Sequence, residues 1–122
     1  MIGYVTLGTH DIARAARFYD ALLGEIGAKR TTDFGTFIMW GKPGKPGLAL
    51  TAPYDKNPAT VGNGVMVALG VDSKEKVDVL YKKAIELGGK DEGPAGPRGD
   101  NFYAGYFRDL DGNKLNFFYM GK

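Results

Sequence analysis

The chain has no cysteine and a single histidine, His10. The first absence excludes disulfides, thiolate metal centres and a cysteine nucleophile, and it fits a reducing compartment. The second means that a site built on two imidazoles cannot form within one copy of the chain. No apolar run approaches the roughly 18 residues of a membrane span, and the start of the sequence has no basic region leading into an apolar stretch. Neither membrane insertion nor secretion is expected, which makes the cytoplasm the expected location. Charge of one sign is also lacking, because 16 Lys and Arg face 14 Asp and Glu for a formal charge of +2. The basic residues are scattered rather than alternating with aromatics along a groove, so nucleic acid is not an expected partner.

What is present is an ordinary globular composition. The 122 residues are 43% hydrophobic and 25% charged, enough for one core and too few for two ordinary domains, so a single domain over 1–122 is expected. Ile2 to Leu7 alternates as a strand with two chemically different faces. Asp11 then caps a helix on which Ile12, Ala15, Ala16, Tyr19, Leu22 and Leu23 recur at helical spacing until Gly24 and Gly27 end it. Strands are predicted at Ala28–Asp33, Thr36–Trp40 and Leu48–Thr51. The pattern then restarts with a strand over Val65–Leu69 and a helix capped by Asp72 or Ser73 and closed by Gly88 and Gly89. A weak strand near Lys90 follows, then a Gly/Pro-rich loop from Gly93 to Gly99, a strand over Phe102–Arg108, a turn over Asp109–Asn113 and a last strand over Lys114–Tyr119. A shift of 62 positions lays Val5 on Val67, Leu7 on Leu69, Gly8 on Gly70, Tyr19 on Tyr81 and Gly27 on Gly89. Two pseudo-repeats, about 1–56 and 57–122, are therefore expected.

The stretch Tyr4-Val-Thr-Leu-Gly-Thr-His-Asp-Ile-Ala-Arg-Ala-Ala-Arg-Phe-Tyr19, the following Leu22-Leu-Gly24 and the late Arg108-Asp-Leu-Asp-Gly-Asn-Lys-Leu115 resemble the vicinal oxygen chelate superfamily of glyoxalases, bleomycin-resistance proteins and extradiol dioxygenases. The resemblance covers nearly the whole chain and is specific for a fold rather than a reaction. It implies an α+β architecture in which two βαβββ modules form an eight-stranded, cup-shaped mixed sheet with the helices outside. It also implies a homodimer. Metal-dependent relatives place one ligand on each of the first, fourth, fifth and eighth strands, and those positions fall on Tyr4, Ala49, Met66 and Asn116. A neutral phenol, a methyl group, a thioether and a neutral amide are poor ligands for a catalytic divalent ion, so no metal and no other cofactor is expected.

If the cup persists, alternation turns Tyr4, Thr6, Ala49, Thr51, Met66, Asn116 and Phe118 inward as a ligand-binding lining. Val5, Leu7, Leu50, Val67, Leu69, Leu115 and Phe117 then pack under the helices. That lining suits an apolar ligand body fixed by a few polar contacts. The expected function is metal-free binding of a small molecule, for sequestration or sensing. Two alternatives stay open: a lyase or isomerase using Tyr4 or His10 as acid/base with Asn116 donating to an oxyanion, and a structural domain whose cup is filled by its own side chains. Trp40 reads as packing, and Asp109 to Asn113 as turn chemistry. On the strand Phe102–Arg108, Tyr103 and Phe107 share one face and Phe102 and Tyr106 the other, with the inward face left undecided.

Overall fold

A computed structural model describes residues 1–121. Along them run β1 (Tyr4–Gly8), α1 (Ile12–Gly24), β2 (Lys29–Asp33), β3 (Phe37–Gly41), β4 (Gly47–Thr51), β5 (Val67–Gly70), α2 (Lys74–Glu86), β6 (Lys90–Pro97), β7 (Phe102–Arg108) and β8 (Lys114–Met120). The chain forms two compact units that divide between Val61 and Gly62, five residues later than the expected repeat boundary. Each unit is a βαβββ module with its own four-stranded mixed sheet, ordered β1-β4-β3-β2 in the first and β5-β8-β7-β6 in the second. In each, the first strand pairs parallel to the last and the remaining pairings are antiparallel.

In the first unit, Asp11 accepts the Arg14 N–H at 3.0 Å and starts α1. The helix lays Ala15, Tyr19, Leu22 and Leu23 on the sheet, where the register stacks Leu7, Leu50 and Ile38 in one row and Val5, Leu48 and Trp40 in the next. Trp40 is 2% exposed and its ring lies 5.9 Å from that of Tyr19, so its role is packing, as its sequence suggests. The indole N–H finds Asp20 on α1 at 2.9 Å, and the same carboxylate takes Arg30 of β2 through Nε at 3.0 Å and Nη2 at 2.8 Å. One side chain thus ties helix, second strand and third strand together.

The Arg30 guanidinium, helped by the indole and opposed by partial burial, holds the Asp20 carboxyl below its ordinary value. A lowered folded pKa contributes stability above the unfolded carboxylate pKa and loses it as pH falls through the folded value. Asp20→Asn should therefore cost about 1 kcal/mol at pH 7, discounted because Asp20 and Arg30 are 44% and 37% exposed. The gap between wild type and variant should close below about pH 4. Urea melts across that range check it; a gap that does not change with pH would contradict the ion-pair origin.

In the second unit, Ser73 rather than Asp72 is the cap, its hydroxyl accepting the Lys76 N–H at 3.1 Å. Two tyrosine hydroxyls pin α2 to its sheet, Tyr103 donating to Asp78 at 2.6 Å and Tyr81 to Asp91 at 2.7 Å. Burial, with Asp91 beside it, pushes the Tyr81 phenol up to about 12. The ring of Tyr81 rests on Gly105, where an added Cβ would come within 3.0 Å of it. These contacts put Tyr103 and Phe107 on the helix face of β7 and leave Phe102 and Tyr106 on the other.

Three sequence expectations need correction. Strand β5 begins at Val67 instead of Val65, so Met66 precedes the strand instead of lying in it. The segment expected as a loop from Gly93 to Gly99 is strand as far as Pro97, with register irregularities on either side of Gly93. The glycine match across the repeat is also displaced. Gly88, at φ +107°, donates to Ile85 and Gly89 to Ala84, so Gly88 is the left-handed closing residue that Gly27 is in α1, where Gly27 and Ala28 donate to Gly24 and Leu23. The turn over Asp109–Asn113 forms as expected, with Asp109 Oδ1 accepting the N–H groups of Asp111 and Asn113, each at 2.9 Å.

Candidate functional site

Strand alternation leaves each sheet one face turned away from its helix. On the first sheet the register places Tyr4 beside Gly47, Thr6 beside Ala49 and Met39, and Gly8 beside Thr51 and Phe37. The expected residues Tyr4, Thr6, Ala49 and Thr51 therefore do share a face, joined by Met39 and Phe37. Tyr4 is 57% exposed, with its ring edge-on to Phe37 at 6.1 Å, while Ala49 is fully buried. His10 lies in the turn after β1 and lines a shallow groove of about 420 Å³ with Thr9, Pro53, Lys56 and Asn57, at the carboxyl ends of the parallel strands β1 and β4.

On the second sheet the register runs in three rows: Lys114 beside Arg108, then Ala68, Asn116 and Tyr106, then Gly70, Phe118 and Ala104. Asn116 and Phe118 share this face as expected, and Met66 stands exposed just ahead of it. Phe118 covers Gly70 and stacks on Phe102 at 5.4 Å between ring centroids.

Asn116 is 1% exposed, and its side-chain oxygen has no hydrogen-bond donor among the described residues. Next to it the Tyr106 ring carries two cations, the Arg98 guanidinium at 5.4 Å and the Lys114 ammonium at 5.7 Å. Glu92 pairs with Arg108 at 3.1 Å and reaches Lys114 at 3.9 Å. The sequence reading missed Lys114 and Arg98, and it left open whether the Phe102 and Tyr106 face or the Tyr103 and Phe107 face turns away from the helix. A signal for Lys114 existed, since it stands two residues before Asn116 on one strand and so shares its face. Arg98 was hidden because its neighbourhood reads as a glycine and proline loop.

Residues 1–117 match the sequence profile of the Glyoxalase/Bleomycin resistance protein/Dioxygenase superfamily. The chain belongs to this superfamily. A glyoxalase/bleomycin resistance protein from Albidiferax ferrireducens is 32% identical, with 98% of each chain covered and a TM-score of 0.90. Two more distant structures share the fold. A glyoxalase/bleomycin resistance protein/dioxygenase family enzyme from Burkholderia phytofirmans is 20% identical, with 97% of each chain covered and a TM-score of 0.79. A lactoylglutathione lyase from Agrobacterium tumefaciens is 22% identical over 98% of this chain and 92% of its own, with a TM-score of 0.72. No curated protein matches the chain.

Superfamily membership raises the question of a metal, and the residues at the four corresponding positions do not fit one. Ala49 has no donor atom, Tyr4 presents a phenol open to solvent, and Met66 offers a soft thioether outside the strand. Asn116 supplies one neutral amide oxygen. Among the described residues no three His, Cys, Asp or Glu side chains come together as a metal centre requires. Nor is any helix among them long and apolar enough to cross a membrane.

Proposed function

We propose that the protein binds a small organic molecule on the helix-free face of its second sheet, with no divalent ion in the site. The observation that carries this reading is the Asn116 oxygen, buried and unpartnered at the eighth-strand position where the resemblance puts a ligand of metal-dependent relatives. An unsatisfied buried acceptor costs about 1–3 kcal/mol, which a ligand N–H or O–H would offset. The arrangement around it suits that use, since an aromatic pair and two cations flank an acceptor that has no donor of its own.

Native mass spectrometry of purified protein, paired with elemental analysis, is the test. A small molecule released on denaturation, with no stoichiometric divalent metal, is the expected outcome; a stoichiometric metal overturns the reading. Asn116→Leu separates function from structure further. Removing the unpaired oxygen should leave the ligand-free melting temperature unchanged or raise it, by up to about 1 kcal/mol of stability, and should abolish retention of the ligand. Loss of stability with ligand retained would mean that Asn116 serves the fold alone.

The same proposal takes the protein as a cytoplasmic homodimer. The absence of cysteine supports the compartment. The dimer is supported by exposed apolar residues in and just ahead of the edge strands, Tyr4 in β1 with Ile2 before it and Val65 and Met66 before β5, which a second copy would cover. A monomer mass in sedimentation equilibrium would refute the dimer.

A further inference from the structure

We infer that the ligand of the second sheet is an organic anion that carries an N–H or O–H donor between its charge and an apolar body. The inference rests on the proposed binding role of Asn116 and adds the chemical class. Three features of one sheet face, in order along β8, define it.

At one end is excess positive charge. Among the described residues Glu92 is the one carboxylate that Arg108 and Lys114 reach, at 3.1 and 3.9 Å. Arg98 has no carboxylate within ion-pair reach among the described residues. Its guanidinium is held by neutral backbone carbonyls, those of Pro94 at 2.8 Å, Gly96 at 3.0 Å and Pro97 at 3.3 Å. These bonds fix the cation over Tyr106 without neutralising it, and Lys114 shares that ring. Three cations against one acid leave the patch short of negative charge, and fixed partly buried cations attract an anion more than mobile surface ones do. Lys114 and Arg108 have side chains only 31% exposed.

In the middle is Asn116, two residues along the strand, whose oxygen can only accept. Two residues further is Phe118, stacked with Phe102. Both cations lie over Tyr106, the neighbour of Asn116 in its own row, so the charge stands beside the acceptor and the ring pair one row, about 7 Å, further along the strand. A ligand matching all three carries a carboxylate or phosphate, then a donor, then an aromatic or acyl group. A purely neutral ligand would leave the cations unanswered, and an inorganic anion would leave Asn116 and the aromatic pair unused.

Hippurate, with carboxylate, amide N–H and phenyl ring in that order, is the probe. Titration calorimetry on the intact protein should show hippurate binding at least about tenfold tighter than neutral hippuramide, a difference of about 1.4 kcal/mol. N-methylhippurate, which lacks the donor, should bind more weakly than hippurate by a similar factor. In Lys114→Met the preference for hippurate over hippuramide should shrink to about twofold. Independently of any variant, raising the salt concentration should weaken hippurate and leave hippuramide unaffected. No hippurate binding, or equal affinity for hippurate and hippuramide, overturns the anion assignment. The binding reading of Asn116 survives that result if native mass spectrometry shows a neutral molecule retained by wild type and lost in Asn116→Leu. It fails together with the assignment if that variant retains whatever the wild type does.

Discussion

Gly89→Ala is expected to cost about 3 kcal/mol, the upper end of overpacking costs, because the new methyl group meets backbone rather than movable side chains. A Cβ at this position would lie 2.8 Å from the Ala84 oxygen and 2.9 Å from the Arg108 oxygen. The first belongs to the last turn of α2 and accepts the Gly89 N–H at 2.9 Å; the second belongs to the end of β7. Neither carbonyl can retreat without opening the helix end or shifting the strand. With domain stabilities of about 5–15 kcal/mol, a loss of that size takes a large fraction of the whole. Far-UV circular dichroism in urea would measure it. Gly24→Ala is the control: it sits at the last residue of α1 with open space around its Cβ, and should be neutral or stabilising by up to about 1 kcal/mol. If both variants melted together, the proposed clash would be wrong.

The helices were legible in the sequence because their signals are local. Asp11 and Ser73 are side chains that can reach an N–H three residues on, and the apolar positions of α1 recur at its period. Under the 62-residue shift the helices Ile12–Gly24 and Lys74–Glu86 coincide end to end. The shift then drifts, since β4 starts at Gly47 and β8 at Lys114, 67 residues apart. Local pattern cannot show where such extra residues enter. Strand β6 was misread for a related reason. Its glycines break the strand pattern, yet they make room on the sheet: a Cβ at Gly93 would lie 3.2 Å from the Arg98 guanidinium and 3.3 Å from Tyr106. The feature that disguised the strand is the one that lets the cation lie flat against it. Asn116 and Phe118 were legible by parity on a clear strand. That Asn116 has an unpartnered oxygen, and that Tyr106 rather than Tyr103 stands beside it, depends on which face α2 covers. Tyr81 and Asp78 decide that through contacts far apart in sequence.

Trp40→Ala should cost about 3–5 kcal/mol and is the most damaging truncation expected in the first unit. The side chain is 2% exposed, so its removal opens a cavity between Tyr19 and the row that includes Leu48. A second loss is electrostatic. Asp20 loses the indole N–H, and the Arg30 guanidinium, 5.7 Å from the ring centre, loses the surface it lies over. Trp40→Phe separates the two effects, because it keeps most of the packing and removes the donor. It should cost about 1–2 kcal/mol, and part of that cost should vanish in an Asp20→Asn background, where no ionised carboxylate needs the bond. Trp40 is the chain's one tryptophan, so native emission should be blue-shifted and shielded from iodide until the first unit unfolds. Equal costs for Trp40→Phe in the wild-type and Asp20→Asn backgrounds would show that the hydrogen bond adds nothing beyond the ring. A clear coupling between the two substitutions would make Asp20 the joint through which helix, second strand and third strand hold one another in place.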